Sequence, residues 1–172
     1  MQIQNLENIS LIKKHISPEQ ALSKLQRYCA YRERCRQEIR KKLSDLGYWG
    51  ERADQIMNQL EDERFWDEWR FAQVFVSDKF RLKRWGRIKI RQELQQKQVP
   101  KVLIEKALKE EIDEEDYWQT LLYLAEKKKK TLRQVTNTLE LKQKMMRFLL
   151  QKGYESNMIW RVLEEVLKED VE

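Results

Sequence analysis

A short pattern of residues occurs three times along the chain and limits the folds that the chain can adopt. The copies are residues 39–43 (IRKKL), 90–94 (IRQEL) and 145–149 (MMRFL), and each continues with a turn and an apolar trio at matching offsets. Self-similarity with one period of about 50 residues indicates tandem copies of a single supersecondary unit. Three copies nearly fill the 172 residues, so the repeat determines the fold of the whole chain.

The composition indicates that each copy is helical. The chain contains only 4 glycines and 2 prolines, and charged residues make up 37% of it. Lys, Glu, Gln, Arg and Leu, which favour helices, are abundant. A unit of about 50 residues can hold three short helices but is too small to bury its apolar faces without its neighbours. We therefore predict an all-α protein built from three tandem three-helix repeats.

Helix start and stop signals divide the chain into segments. Ser17 ahead of Pro18 and Gln20 predicts a helix start with a capping box. Gly47 and Gly153 follow the middle helices of the first and third repeats, where glycine favours a left-handed cap. The predicted segments are an N-terminal arm over residues 1–16 and repeats over residues 17–63, 64–111 and 112–172.

Several classes of protein have no support in the sequence. Cys29 and Cys35 lack the CxxC spacing and are interpreted as reduced thiols. The single His15 has no neighbouring ligands at metal-site spacing. Nucleophile–base pairs, phosphate loops and glycine-rich fingerprints are missing, so we expect neither an enzyme nor a cofactor. An apolar run of about 18 residues and an export signal are missing too, which predicts a cytoplasmic protein.

The strongest functional signal is a basic stretch in the second repeat. The net charge of +6 favours acidic partners, and residues 79–101 hold nine basic residues against one acidic residue, Glu93. The spacing of Arg84, Arg87 and Arg91 predicts one basic helix face, which can bind nucleic-acid phosphates or an acidic protein groove. A solvated face without a partner is the alternative. The candidate partner-binding or DNA-binding residues are Lys79, Arg81, Lys83, Arg84, Arg87, Lys89 and Arg91, with Arg32, Arg34 and Arg36 as a weaker set in the first repeat.

Two further features are interpreted as structural. The run from Lys127 to Lys130 is typical of a solvated stretch. The aromatic residues near the repeat junctions are assigned to packing between repeats, although stacking platforms for single-stranded bases are the alternative.

The second repeat also carries a longer motif. It consists of residues 65–72 (FWDEWRFA), Phe75-Val76, residues 79–81 (KFR), Trp85-Gly86, residues 87–91 (RIKIR) and Glu93-Leu94. In these positions the chain resembles the RecX family, which are bacterial modulators of the RecA recombinase. The resemblance covers about residues 17–168 and implies an elongated, curved molecule made of three tandem three-helix repeats.

What the resemblance implies for function is binding rather than catalysis. RecX-like proteins lie in the helical groove of the RecA–DNA filament and limit filament growth, ATP hydrolysis and strand exchange. The implied partners are the RecA filament and single- or double-stranded DNA, without a membrane, and we expect a monomer. The positions that match the basic part of the motif are Lys79, Arg81, Arg87, Lys89 and Arg91.

The chain departs from the family pattern at Gln98 and in the third repeat, where residues 145–147 (MMR) replace the Arg-Ile-Arg pattern. Gln98 stands where the family has a glycine after the middle helix of the second repeat, so a left-handed cap there would cost roughly 1 kcal/mol. The alternative function is a helix-turn-helix-like DNA-binding or architectural protein that acts without RecA.

Overall fold

The computed structural model describes residues 16–168, in which every secondary-structure element is a helix. Nine α-helices and no strand are present in these residues, which confirms the predicted all-α fold. The predicted N-terminal arm lies, apart from Ile16, outside the described residues. The helices are α1 (Pro18–Tyr31), α2 (Arg36–Asp45), α3 (Gly50–Asp62), α4 (Glu68–Lys83), α5 (Arg87–Gln96), α6 (Lys101–Glu111), α7 (Glu114–Thr131), α8 (Thr138–Lys152) and α9 (Ser156–Lys168).

The contacts divide the chain into two compact units, residues 1–71 and 72–172. The core of the first unit is formed by α1, α2 and α3 around fully buried side chains such as Leu25, Ile39 and Leu43. Trp66 closes this core, and its indole Nε1 donates a hydrogen bond of 2.9 Å to the carbonyl of Arg34. Burial of this ring with its polar atom satisfied places the residues before α4 against the first repeat.

The second unit holds the remainder of α4 and the helices α5 to α9. Its α7, α8 and α9 pack on one another, as do α5 and α6. Phe80, Tyr117 and Tyr154 form a chain of buried rings, with centroid separations of 5.9 Å and 5.0 Å. These rings join residues of the second repeat (α4–α6) to residues of the third (α7–α9).

The apolar trios that define the repeat are all buried. Each trio lies on the third helix of its repeat, and there it closes the core beneath the middle helix of that repeat. The trios are Ala53, Ile56 and Met57; Ile104, Ala107 and Leu108; and Ile159, Val162 and Leu163.

The turn after the middle helix is the same in all three repeats. Gly47, Gln98 and Gly153 have positive φ angles of 92°, 60° and 90°. The predicted left-handed caps are therefore confirmed at both glycines, and Gln98 adopts the same conformation although it carries a side chain. In each turn the next amide donates to the carbonyl five residues earlier: Tyr48 to Leu43 (2.9 Å), Val99 to Leu94 (3.1 Å) and Tyr154 to Leu149 (3.3 Å).

The predicted start of α1 is also confirmed. The Ser17 hydroxyl accepts from the amide of Gln20 at 3.3 Å, and the Gln20 side chain accepts from the amide of Ser17 at 3.0 Å. Within the described residues, no helix is long and apolar enough to cross a membrane.

Candidate polyanion-binding surface

Arg87, a leading candidate from the sequence, is held inside the second unit. It is the first residue of α5, and its guanidinium donates to both carboxylate oxygens of Glu114 at 2.7 Å and 3.3 Å. The guanidinium also lies 4.1 Å from the ring centroid of Tyr117, and only 18% of the side chain is exposed. This arrangement fixes the start of α5 against the start of α7.

Arg36 makes the equivalent contact in the first unit. It is the first residue of α2, and its Nε lies 3.4 Å from a carboxylate oxygen of Glu68, the first residue of α4. Its guanidinium is 5.0 Å from the ring centroid of Trp66. In both repeats an arginine at the start of the middle helix thus pairs with a glutamate at the start of the next repeat's first helix and lies near an aromatic ring.

Arg91 is likewise paired within its own repeat. Its guanidinium donates to both carboxylate oxygens of Glu105 on α6 at 2.7 Å and 3.0 Å. These hydrogen bonds hold the pKa of the Glu105 carboxyl below its ordinary value. Arg40 on α2 makes the corresponding pair with Asp54 on α3 at 2.5 Å. Because the same two positions pair in both repeats, the contact belongs to the repeat architecture.

The other two basic candidates of the first repeat are paired as well. Arg32 contacts Glu38 at 2.6 Å. Arg34 is buried, and its Nε donates to the carbonyl of Tyr28 at 3.2 Å. The Arg34 guanidinium also lies 3.7 Å from the centroid of the Tyr28 ring. Half of the ten candidate residues, Arg32, Arg34, Arg36, Arg87 and Arg91, therefore have carboxylate partners inside the chain.

The prediction that Arg84 shares one helix face with Arg87 and Arg91 is wrong. Arg84 lies in the turn between α4 and α5, where its φ angle is 51°. Trp85 and Gly86 separate it from α5, so helical spacing does not apply across these positions. Its side chain points instead towards α7, where the guanidinium lies 4.9 Å from the ring centroid of Tyr123.

The five remaining candidates have no carboxylate partner within the part of the chain that the structure describes. Among residues 16–168, no carboxylate oxygen lies within 4.0 Å of the charged nitrogens of any of them. Two of them, Lys79 and Lys89, lie 5.2 Å and 4.5 Å from the ring centroid of Trp85. These five candidates are Lys79, Arg81, Lys83, Arg84 and Lys89.

The end of α8 docks on the start of α5 and brings the third repeat to this region. The amide of Gly86 donates to the carbonyl of Lys152 at 2.8 Å, and the amide of Ile88 donates to the carbonyl of Gly153 at 3.0 Å. Amides at a helix start and carbonyls at a helix end lack partners within their own helices, and they carry opposite partial charges. Each end therefore satisfies the other.

Two glycines permit this docking. A Cβ on Gly86 would collide with the backbone of Gly153, and a Cβ on Gly153 would collide with the backbone and Cβ of Lys89. Gly86 itself has a φ angle of −76°, which any residue can adopt, so the close approach alone requires glycine there.

Docking places four cations around Lys152, and we call these five residues together the basic seam. The Nζ atom of Lys152 lies 3.5 Å from the carbonyl oxygen of Lys83. Partial burial, and then the charges of its neighbours, lower the pKa of the Lys152 ammonium. Lys83, Arg84 and Lys127 are exposed, whereas Lys89 and Lys152 are half-buried. The seam consists of Lys83, Arg84, Lys89, Lys127 and Lys152.

Aromatic rings lie close to the cations of the seam and of its surroundings. Each of three rings lies within 6 Å of two cationic groups, a geometry that offsets part of the repulsion between them. The groups are Arg84 and Lys127 at Tyr123 (4.9 Å and 5.8 Å), Lys89 and Lys79 at Trp85 (4.5 Å and 5.2 Å), and Lys128 and Lys152 at Phe148 (5.1 Å and 5.9 Å).

Sequence reasoning missed Lys127 and Lys152. Lys127 belongs to a run that is typical of a solvated stretch, and Lys152 is an ordinary residue at the end of a helix. The repeat turn at Gly153 is the one available signal, because it predicts a helix end there but not what the end contacts. The arrangement can bind an extended anion through several point charges. In the described part of the chain, no cluster of three or more His, Cys, Asp or Glu residues could hold a metal ion.

Comparison with protein families accounts for all three repeats. Residues 21–60 match the model of the first RecX three-helix domain. Residues 67–108 match that of the second domain, and residues 114–163 match that of the third.

Individual proteins give the same result. The chain is 38% identical over 131 residues to the regulatory protein RecX of Clostridium botulinum, and the match covers 76% of this chain and 60% of that one. It is 33% identical over 147 residues to the regulatory protein RecX of Prosthecochloris aestuarii, covering 86% of this chain and 93% of that one. The chain thus spans about three fifths of the length of the Clostridium relative and nearly all of the Prosthecochloris relative.

A solved structure has the same fold. The crystal structure of RecX from Lactobacillus salivarius superimposes with a TM-score of 0.78 at 22% sequence identity, covering 87% of this chain and 96% of that one. Three matched domains in chain order, together with a relative of which nearly the whole length is covered, show that this chain belongs to the RecX family.

Proposed function

We propose that this protein regulates the RecA recombinase by binding to the RecA–DNA filament. In this role it restrains filament extension, ATP hydrolysis and strand exchange during DNA repair and the SOS response, in the cytoplasm. The observation that carries the proposal is the match of all three repeats to RecX domains, because a regulator that follows a repetitive filament needs an extended series of contacts.

The structure changes which side chains we assign to the partner. Arg87 and Arg91 hold helices together, so their charges are largely used within the second unit. Lys83, Arg84 and Lys89 lack carboxylate partners in the described residues and belong to the basic seam. We therefore propose that the seam, rather than a face of α5, makes the main electrostatic contact with the filament.

A RecA ATPase assay on single-stranded DNA tests this proposal. Added protein is expected to lower the rate of ATP hydrolysis in a concentration-dependent manner. A Lys83→Gln/Arg84→Gln double variant is expected to need a higher concentration for the same effect, because two of the seam charges are lost. Lys109→Gln, which removes one charge from α6 outside the seam, serves as the control. The proposal fails if the protein neither alters ATP hydrolysis nor co-sediments with the filament.

A DNA-binding protein that acts without RecA is the second candidate function. The basic seam favours it, since a cluster of cations without carboxylate partners among residues 16–168 can bind nucleic acid without a further protein. Binding to random duplex and to single strand, each at two salt concentrations and without RecA, separates the two functions. RecA regulation predicts much tighter binding to the filament than to bare DNA, whereas the second candidate predicts sequence-specific duplex binding.

A further inference from the structure

The basic seam is assembled by packing between repeats. Lys83, Arg84 and Lys89 come from the second repeat, whereas Lys127 and Lys152 come from the third. The backbone bonds from the amides of residues 86 and 88 to the end of α8 hold these groups together. When the end of α8 leaves the start of α5, the two groups of cations separate and the seam no longer exists.

Assembly of the seam concentrates like charges. The pKa of Lys152 is lowered by its partial burial and by the positive charges of Lys89, Arg84, Lys127 and Lys83. Among residues 16–168, no carboxylate lies within 4.0 Å of the charged ends of these side chains to offset the repulsion. The docked state therefore has a higher affinity for a multivalent anion than the undocked state has.

The residue types of the seam are compatible with a series of phosphates. This chain uses the bidentate guanidinium of Arg87 and Arg91 where it pairs with carboxylates. The seam holds four lysines and one arginine, and lysine binds phosphate as a point charge without demanding one geometry. The rings of Trp85 and Tyr123 already lie against cations, so contact with the backbone of a nucleic acid fits better than stacking of its bases.

We propose that the basic seam binds consecutive phosphates of a nucleic-acid strand, and that its occupancy locks the third repeat onto the second. Because the ligand binds the docked state and not the separated one, binding stabilises docking by mass action. The inference concerns the protein alone and is tested without RecA, so its failure is distinguishable from failure of the proposed function.

Hydrogen exchange at the docking bonds measures the lock directly. The amides of Gly86 and Ile88 donate across the seam, so their exchange reports separation of α8 from α5. A 20-residue oligothymidylate at 100 times its Kd is expected to slow this exchange by about 100-fold. The amide of Tyr48, which bonds within the first unit, is the internal control and is expected to keep its rate.

Charge variants link this effect to the seam. The logarithm of oligothymidylate affinity is expected to fall with the logarithm of salt concentration, and Lys152→Gln is expected to reduce that slope by about 0.7, the value for one lost phosphate contact on a single strand. Lys127→Gln, at an exposed position, is a second variant that leaves the fold undisturbed. Lys109→Gln is the matched control and is expected to leave the slope unchanged.

Four results would overturn the inference. Binding of oligothymidylate with unchanged exchange at Gly86 and Ile88 would refute the lock. Equal affinity in Lys152→Gln, Lys127→Gln and the Lys109→Gln control would place the nucleic acid elsewhere. A poly-glutamate of matched charge that binds and protects as well as oligothymidylate would identify the seam as an interface for acidic proteins. The same exchange experiment with a duplex of equal length shows whether a single strand is sufficient for binding. If only the duplex protects the Gly86 and Ile88 amides, the seam is not a site for a single strand.

Discussion

Replacing Gly86 by alanine tests the contact between the ends of α5 and α8. The φ angle of Gly86 is −76° and its ψ angle is 163°, so alanine is not strained at this position. The added Cβ would instead meet the carbonyl of Gly153 and the amide nitrogen of Tyr154. These are backbone atoms and cannot rotate away, so the two helix ends must move apart.

The expected loss of stability follows from the contacts that this movement breaks. The hydrogen bonds to the carbonyls of Lys152 and Gly153 are each worth about 1 kcal/mol net. Repacking around an oversized side chain typically costs about 1–3 kcal/mol more. Alanine restricts the unfolded chain more than glycine does, and this effect stabilises the folded protein by roughly 0.4–1 kcal/mol. The free energy of unfolding is therefore expected to fall by about 2–4.5 kcal/mol, from a total that is about 5–15 kcal/mol in typical domains.

Urea denaturation followed by circular dichroism measures this change, and Gly50→Ala provides the matched control. Gly50 has a φ angle of 55°, but a Cβ added there would have no neighbour within 4 Å, so alanine costs only backbone strain of about 1 kcal/mol. The clash at Gly86 should therefore exceed the strain at Gly50. If Gly86→Ala proves no more destabilising than Gly50→Ala, the docking of α8 on α5 is not as described.

Three further predictions concern single side chains. Arg91→Glu is expected to lower the free energy of unfolding by about 1 kcal/mol. The Arg91→Glu/Glu105→Arg double variant should recover part of this loss. If urea denaturation shows that the effects of the two single substitutions simply add, the ion pair does not contribute to stability. Gln98→Gly should raise the stability by roughly 1 kcal/mol, because the φ angle of 60° suits glycine; a lower urea midpoint would argue against this. Burial raises the pKa of the Cys29 thiol to about 11, so iodoacetamide at pH 8 should modify it slowly in the native protein and rapidly after unfolding. Because this pKa lies above the ordinary value of 9.0, the stability contribution of the thiol is complete below pH 9 and is lost as the pH rises towards 11; fast native alkylation would show that the thiol is accessible.

The caps and the repeat are predictable because they depend on neighbours in the chain. Ser17 bonds to an amide three residues away, and the turns at Gly47 and Gly153 close through hydrogen bonds that span five residues. The predicted position of Arg84 is wrong because a helical spacing of three or four residues does not continue across Trp85 and Gly86, where no helix exists.

Comparison of the repeats could reveal part of the arginine pairing. Arg40 and Asp54 occupy the same positions in the first repeat as Arg91 and Glu105 do in the second, and both pairs form. Opposite charges at matching positions in two copies are a signal that the sequence contains, although a functional interpretation of the basic stretch obscures it.

The sequence by itself determined the helical class, the threefold repeat, the buried trios and the family, because periodicity and capping act over a few residues. Only the tertiary structure decided which charges remain available to a partner. Lys152 is far from Lys89 in the chain, and the two become neighbours only because Gly86 and Gly153 let two helix ends meet. A charge acts on whatever lies within several ångströms of it, and for the basic seam that distance is set by packing between repeats.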